Sequence, residues 1–385
     1  MSRSFTASRM SKIPPSGTIN MFELALMFER KGEKVIHLEV GEPEFDTPNH
    51  IKKAAIEYLE KGFTHYTSSR GVYELRAAVC EDLSERGCDF TPDEVLITPG
   101  AKHAILCAVL ATLNPGDEVL IPTPAWPTYH VIVEMADAIP VNIPTEKLYR
   151  IDLDVLKHSI TDKTKMIIIN SPNNPTGGVI EENILKGIAE IALERDLLVL
   201  SDEIYDRLVY DGFRQTSFGS LKDVKERTIL INGFSKTFAM TGWRLGYVAA
   251  EKDLINNCLR IQQNSTTCPT SFVQLAALAA LKTKTSDLDN MIHTYEKRRK
   301  MMVDLLNEIK FISCELPKGA FYVFPHYDLP VKSEVLAERI LRETKVCLTP
   351  GSVFYGENHL RLSYAVADEN ILEALTRLKN FFNNL

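Results

Sequence analysis

The chain has 385 residues, 45% hydrophobic and 25% charged, with a formal net charge of −7. That length exceeds one ordinary core, so two domains, or one large α/β domain with an annex, are expected. The acidic balance disfavours a nucleic-acid or anionic-membrane surface, and no run of about eighteen apolar residues suits a membrane span.

The start, "MSRSFTASRMSK" (1–12), carries Ser and Arg but no apolar stretch, so it reads as an arm and not as a secretory signal. The seven cysteines are scattered without a C-x-x-C pair, as expected of reduced thiols in a cytoplasmic protein. No H-E-x-x-H or Cys/His cluster has ligand spacing, so no metal is expected.

In the middle of the chain, strand and helix signals alternate. "EVLITPG" (94–100) is strand into turn, "AKHAILCAVLATL" (101–113) a helix with an apolar stripe, and "EVLIP" (118–122) a strand. "KMIIIN" (165–170), the helical "EENILKGIAEIALERD" (181–196), "LLVLSDE" (197–203), "TILING" (228–233) and "RLGYVAA" (244–250) follow. Apolar runs of this length separated by helices predict a largely parallel sheet, buried on both faces. Polar residues stand just past these runs, at the strand ends where open α/β sheets place their sites. From about residue 285 the texture is that of an α+β annex. A long charged helix leads to strands "GAFYVFP" (319–325) and "HLRLSY" (359–364), and then to a final amphipathic helix.

The candidate chemistry gathers at those strand ends. Lys236, in "GFSKTF", leaves an apolar strand between two hydroxyls; a lysine in such a partly desolvated pocket has a lowered pKa and forms Schiff bases. Asp202 follows an apolar strand, where a carboxylate needs a partner: a pyridinium N–H, or the first turn of a following helix. Pleating turns Glu203 to the opposite side, and Tyr205 stands near enough to reach a cofactor's phenolic oxygen. Gly100, Ala101 and Lys102 mark a strand-to-helix turn whose free N–H groups suit an anion, or serve only as a turn. Ser235 adds a hydroxyl there and Arg244 a bidentate fork. "NSPNNPTGG" (170–178) is a stiff loop presenting the Asn174 amide, and "TPAWPTY" (123–129) places Trp126 where a ring would stack on a flat cofactor or anchor a loop. Arg361 lies inside a strand of the annex, either gripping a carboxylate or facing solvent.

Together "NSPNNPTGG", "SDEIYDRLVY", "FSKTFAMTGWRLGY" and "LRLSYA" resemble the class I pyridoxal-phosphate aminotransferases of fold type I, over nearly the whole chain. "EVGEPEFDTP" is most similar in texture to their prokaryotic and archaeal aspartate aminotransferase branch. The resemblance implies an α/β fold: a large domain with a mostly parallel seven-stranded sheet and a smaller α+β domain. The corresponding boundaries are 1–43 for an arm and part of the small domain, 44–284 for the large domain and 285–385 for the small one.

It also implies roles. Lys236 binds pyridoxal 5′-phosphate and shuttles the substrate proton, Asp202 pairs with the pyridine nitrogen, and Tyr205 and Asn174 bond the phenolic oxygen. Trp126 stacks on the ring, while Gly100, Ala101, Lys102, Ser235 and Arg244 surround the phosphate or its approach. Arg361, Asn174 and the backbone at Gly41 hold the α-carboxylate. Tyr66 serves the neighbouring subunit's phosphate, so a homodimer with shared sites is expected. Ser16, Thr18 and Lys102 match the pocket for a distal carboxylate, which favours aspartate and 2-oxoglutarate as substrates. An aromatic or broad-specificity aminotransferase is the alternative, and a β-lyase sharing the same binding apparatus a more distant one.

Overall fold

The structure is a computed structural model that describes residues 5–15, 17–283 and 285–385. The N-terminal part contains α1 (Gly17–Glu29), β1 (Ile36–His37), α2 (Asn49–Glu60) and α3 (Tyr73–Glu85). Strand and helix then alternate through β2 (Val95–Thr98), α4 (Ala101–Thr112), β3 (Glu118–Thr123), α5 (Thr128–Met135) and β4 (Ile139–Pro144). Next come α6 (Leu153–His158), β5 (Thr164–Asn170), α7 (Glu182–Glu194), β6 (Leu198–Asp202), β7 (Thr228–Gly233) and β8 (Gly246–Ala249). Helices α8 (Lys252–Ser265), α9 (Ser271–Lys282) and α10 (Asp287–Asn307) lead into the C-terminal part. That part holds β9 (Ile312–Ser313), β10 (Tyr322–Val323), β11 (His326–Tyr327), α11 (Ser333–Thr344), β12 (Val346–Cys347), β13 (Thr349–Pro350), β14 (Leu360–Ser363) and α12 (Asp368–Asn383).

The central sheet has seven strands in the order β2-β8-β7-β6-β5-β3-β4. Only β8 runs against its neighbours, pairing antiparallel with β2 and β7. Side chains alternate between the two faces, as the period of a strand requires. Leu96, Ile121, Ile168, Leu200, Ile231 and Val248 join the core under α4, α5 and α8. On the other face, Ile97, Leu230 and Ala249 pack under α2, α3 and α9, while Leu120, Ile169 and Val199 pack under α6 and α7. Burial on both faces explains why these strands read as continuous apolar runs. β4 is absent from the sequence expectations because Pro140 and Pro144 interrupt its apolar signal. It occupies the sheet edge, where a missing N–H is tolerated.

In the C-terminal part β14 lies between β10 and β13, antiparallel to both. β1 pairs parallel with β12, so the N-terminal segment joins these late strands. Among the described residues no helix is long and apolar enough to cross a membrane.

The sheet meets the start of α4 at Gly246, the first residue of β8. A Cβ there would stand 2.5 Å from the Ala101 nitrogen and 2.8 Å from the Gly100 carbonyl carbon, both backbone atoms that cannot swing aside. Gly246→Ala is therefore expected to destabilise the protein by about 1–3 kcal/mol, the usual scale of overpacking, read by urea unfolding. Gly242→Ala is the control, because a Cβ at Gly242 meets nothing within 4 Å. A Gly246→Ala midpoint equal to that of wild type would show that the turn yields without cost.

Candidate active site

The carboxyl ends of β5, β6 and β7 open into a cavity of about 500 Å³. β6 ends at Asp202, which is buried. The Tyr129 hydroxyl donates to its carboxylate at 2.7 Å and the Ile204 N–H at 3.1 Å. Burial raises Asp202 to about 6, against the pull of those two hydrogen bonds. No helix follows β6 directly, since residues 204–207 form a turn. Asp202 is therefore the last residue of a strand, facing the cavity, and the helix-cap alternative falls. Glu203 points away, as pleating requires: it accepts from the Ser217 hydroxyl at 2.9 Å and the Phe218 N–H at 3.0 Å, and it pairs with Arg86.

β7 ends at Gly233, and the turn after it carries Ser235 and Lys236 into the same cavity. The Lys236 ammonium donates to the Gly41 carbonyl and stands 5.9 Å from the Tyr205 ring centroid and 5.6 Å from that of Phe321. Burial lowers its pKa to about 8, with Arg361 and Arg244 adding repulsion and Glu42 opposing them. The Tyr205 hydroxyl lies 3.0 Å from that of Tyr322, and burial holds Tyr205 well above the usual phenol range.

At the mouth, Gly100 adopts a left-handed backbone (φ +88°) as α4 begins. A Cβ there would meet the Arg244 guanidinium at 2.7 Å, so the glycine lets arginine and turn lie side by side. Arg244 itself has φ +54°, a strained position for a non-glycine residue. The free N–H groups opening α4, the guanidinium and Ser235 thus surround one corner suited to an anion. Trp126 meets Tyr129 edge-on at 5.4 Å, and the Lys102 ammonium sits 4.9 Å from the Trp126 ring centroid. Burial and then Arg244 lower the Lys102 pKa.

Arg361 enters from β14 and is 3% exposed, which rules out the solvent-facing alternative. Its guanidinium donates to the Asn174 side-chain carbonyl at 3.1 Å and to the Glu39 backbone carbonyl, between the rings of Tyr322 and Phe354. Its Nε is buried without a partner, and among the described residues no carboxylate pairs with it. A buried cation left this way is a ready receptor for a carboxylate.

Tyr66 stands apart from the cavity and is 86% exposed. Ser16 and the Thr18 side chain lie outside the described residues. Sequence reasoning missed Tyr129, Tyr322, Glu42 and Phe22, all of which line the cavity. Tyr129 closes the "TPAWPTY" stretch and was open to discovery there; Tyr322 sits in "GAFYVFP", whose apolar pattern hides a functional hydroxyl.

The lowered pKa of Lys236 has a chemical signature. Only the neutral amine is nucleophilic, and burial makes it neutral above about pH 8, well below the ordinary 10.5. Labelling of Lys236 in the cofactor-free protein by an amine-reactive reagent, followed by mass spectrometry, should reach half its maximal rate near that pH. A midpoint close to that of a surface lysine would show that the site is wet.

The family described as "Aminotransferase class I and II" matches residues 33–378. An aspartate aminotransferase from Pyrococcus abyssi is 43% identical, with 97% of each chain covered. "Aromatic-amino-acid aminotransferase 2" of Thermococcus litoralis is 42% identical over the same shares. The structure of aspartate aminotransferase from Thermus thermophilus with maleate superposes with a TM-score of 0.94 at 35% identity, covering 98% of this chain and 100% of that one. With a sheet whose strand ends bring a desolvated lysine, a buried carboxylate and an unpaired arginine together, the chain belongs to the class I and II aminotransferases and is an aminotransferase.

Proposed function

We propose that the chain binds pyridoxal 5′-phosphate and moves the amino group of aspartate to 2-oxoglutarate. Supporting this is a set of groups around one cavity that have no ion pair among the described residues: the amine of Lys236, the carboxylate of Asp202, and two cations, Arg361 and Lys102. Residues 44–284 then form the cofactor-binding unit, and 1–43 with 285–385 the unit that carries Arg361.

The donor set fits the cofactor. Lys236 Nζ would attach its aldehyde and Asp202 would accept an N–H from its ring, while Tyr205 and Asn174 would face its phenolic oxygen and Trp126 its ring. Gly100, Ala101, Ser235 and Arg244 would hold its phosphate, with Tyr66 reaching it from a second subunit. Once bound, pyridoxal phosphate supplies an electron sink for the carbanion at the substrate's Cα. Lys236 Nζ accepts the Cα proton, an assignment consistent with a pKa lowered by burial to about 8. Arg361 fixes the α-carboxylate through its planar fork, and the rings on either side of it keep water away.

The aspartate reading rests on Lys102. Its ammonium faces the cavity over Trp126, and among the described residues it has no carboxylate partner. Aromatic amino acids are the second reading, favoured by the apolar surfaces of Phe22 and Trp126 in the same cavity. Lys102→Ala separates the two. A lost distal contact should lower kcat/KM for aspartate by about 2–4 kcal/mol, the scale of a desolvated charge without its partner, and leave phenylalanine far less changed. A parallel fall for both substrates, with weaker cofactor retention, would assign the lysine to the phosphate and favour the aromatic reading.

Sharing of Tyr66 between subunits is tested by complementation. Mixed Tyr66→Ala and Lys236→Ala chains should form hybrids with one intact site, restoring about a quarter of wild-type activity on random pairing. Lys236→Ala mixed with Arg361→Ala should restore none, because both residues serve one site. Full activity in a strictly monomeric preparation would remove the shared-site assignment.

A further inference from the structure

Next to Arg361, at the edge of the cavity that Glu39 helps to line, lies a second cluster to which the proposed transamination gives no role. His37 and Glu39 stand two residues apart on one extended segment, so their side chains share a face. Cys347 is the parallel cross-strand partner of His37. One donor atom from each of the three lies within 4.8 Å of the other two. His37 Nδ1 is 2.7 Å from Glu39 Oε1. The Glu39 side chain is 2% exposed, and its other oxygen, Oε2, is buried with no hydrogen-bond partner. Cys347 is fully buried, its thiol in a long 3.5 Å contact with the Met21 carbonyl and beside the Glu39 carboxylate.

We propose that His37, Glu39 and Cys347 form a binding site for a zinc ion, joining the N-terminal segment to the late strands of the fold. Imidazole, carboxylate and thiolate together suit zinc; magnesium and calcium take oxygen donors. Three protein ligands leave a fourth tetrahedral position for water, and His37 at 23% side-chain exposure provides a way in. Tetrahedral bonds of about 2.0–2.3 Å put donors roughly 3.3–3.8 Å apart, so the thiol draws in and the His37–Glu39 contact opens slightly. Support from behind is already present: Glu29 Oε1 lies 3.2 Å from His37 Nε2. With Nδ1 on the metal, Nε2–H donates to that carboxylate, the arrangement that fixes tautomer and ring orientation in metal-binding histidines. The alternative without metal is an imidazolium held between two carboxylates, and it leaves Glu39 Oε2 with at best the weak S–H donor of Cys347.

The donors come from opposite ends of the chain, which is why no ligand spacing is visible in the sequence. The site is also one peptide from the substrate grip, because the Glu39 backbone carbonyl accepts from Arg361.

The test uses the full chain loaded with pyridoxal phosphate, stripped with chelator, dialysed against micromolar zinc and assayed by mass spectrometry for metal content. About one zinc per chain is expected, with a Tm that rises with free zinc. Zinc-edge X-ray absorption should show one sulfur neighbour near 2.3 Å and nitrogen or oxygen neighbours near 2.0–2.1 Å. Cys347→Ser and His37→Gln should each abolish stoichiometric binding, and Glu29→Gln should weaken it about tenfold. If Cys347→Ser fails to fold, the more exposed His37→Gln decides. No stoichiometric uptake, a spectrum without sulfur, or uptake that survives His37→Gln would each overturn the site.

Discussion

Lys236, Asp202 and Arg361 share a cavity that solvates them poorly, and among the described residues neither cation has a carboxylate in ion-pair contact. Removing each such charge from water costs several kcal/mol before any compensation. The protein compensates differently at each group. Lys236 gives way by losing its proton more readily, and Asp202 keeps its charge with hydrogen bonds from Tyr129 and Ile204. Arg361 cannot titrate usefully, so it leans on an amide oxygen, a backbone carbonyl, a threonine hydroxyl and two rings. Each remedy is partial, and what remains unsatisfied is the capacity to bind.

Such an arrangement survives only on a stiff frame. Asp202 closes a strand hydrogen-bonded on both sides, and Lys236 follows immediately after the neighbouring strand. Glu203, on the opposite side of the same strand end, is tied to Arg86, Ser217 and Phe218. That anchoring fixes the end of β6 that carries Asp202. Arg361 arrives on a separate sheet and donates to Asn174, which stands on the loop after β5 of the central one. The carboxylate grip is thus built across two parts of the fold.

Much of this was legible in the sequence, for reasons that particular residues show. Strands β5, β6 and β7 are apolar on both faces and announce themselves as runs, and Lys236 and Asp202 stand out because polarity begins abruptly where those runs stop. Edge strand β4 was invisible because two prolines break its signal where the edge permits them. Tyr129 and Tyr322 were missed for another reason: each looks like a core aromatic, and only the fold reveals that its hydroxyl meets Asp202 or Tyr205. The depth of Arg361 was equally hidden, since a strand places alternate residues on two faces without saying which is covered.

On the proposed reading, the two cations of the cavity differ in how firmly they are held, and that difference bears on specificity. Arg361 is locked by three acceptors and two rings, so it meets any α-carboxylate in one geometry and contributes alike to every amino acid. Lys102 belongs to the first turn of α4 and rests over the face of Trp126, a contact worth roughly 0.5–2 kcal/mol. A distal carboxylate offers that ammonium a stronger partner than the ring does. An aromatic side chain offers it none, but its own ring face can pack against Trp126 if the flexible lysine swings aside. Discrimination in this protein is then set less by the presence of a positive charge than by how much it costs Lys102 to leave the indole.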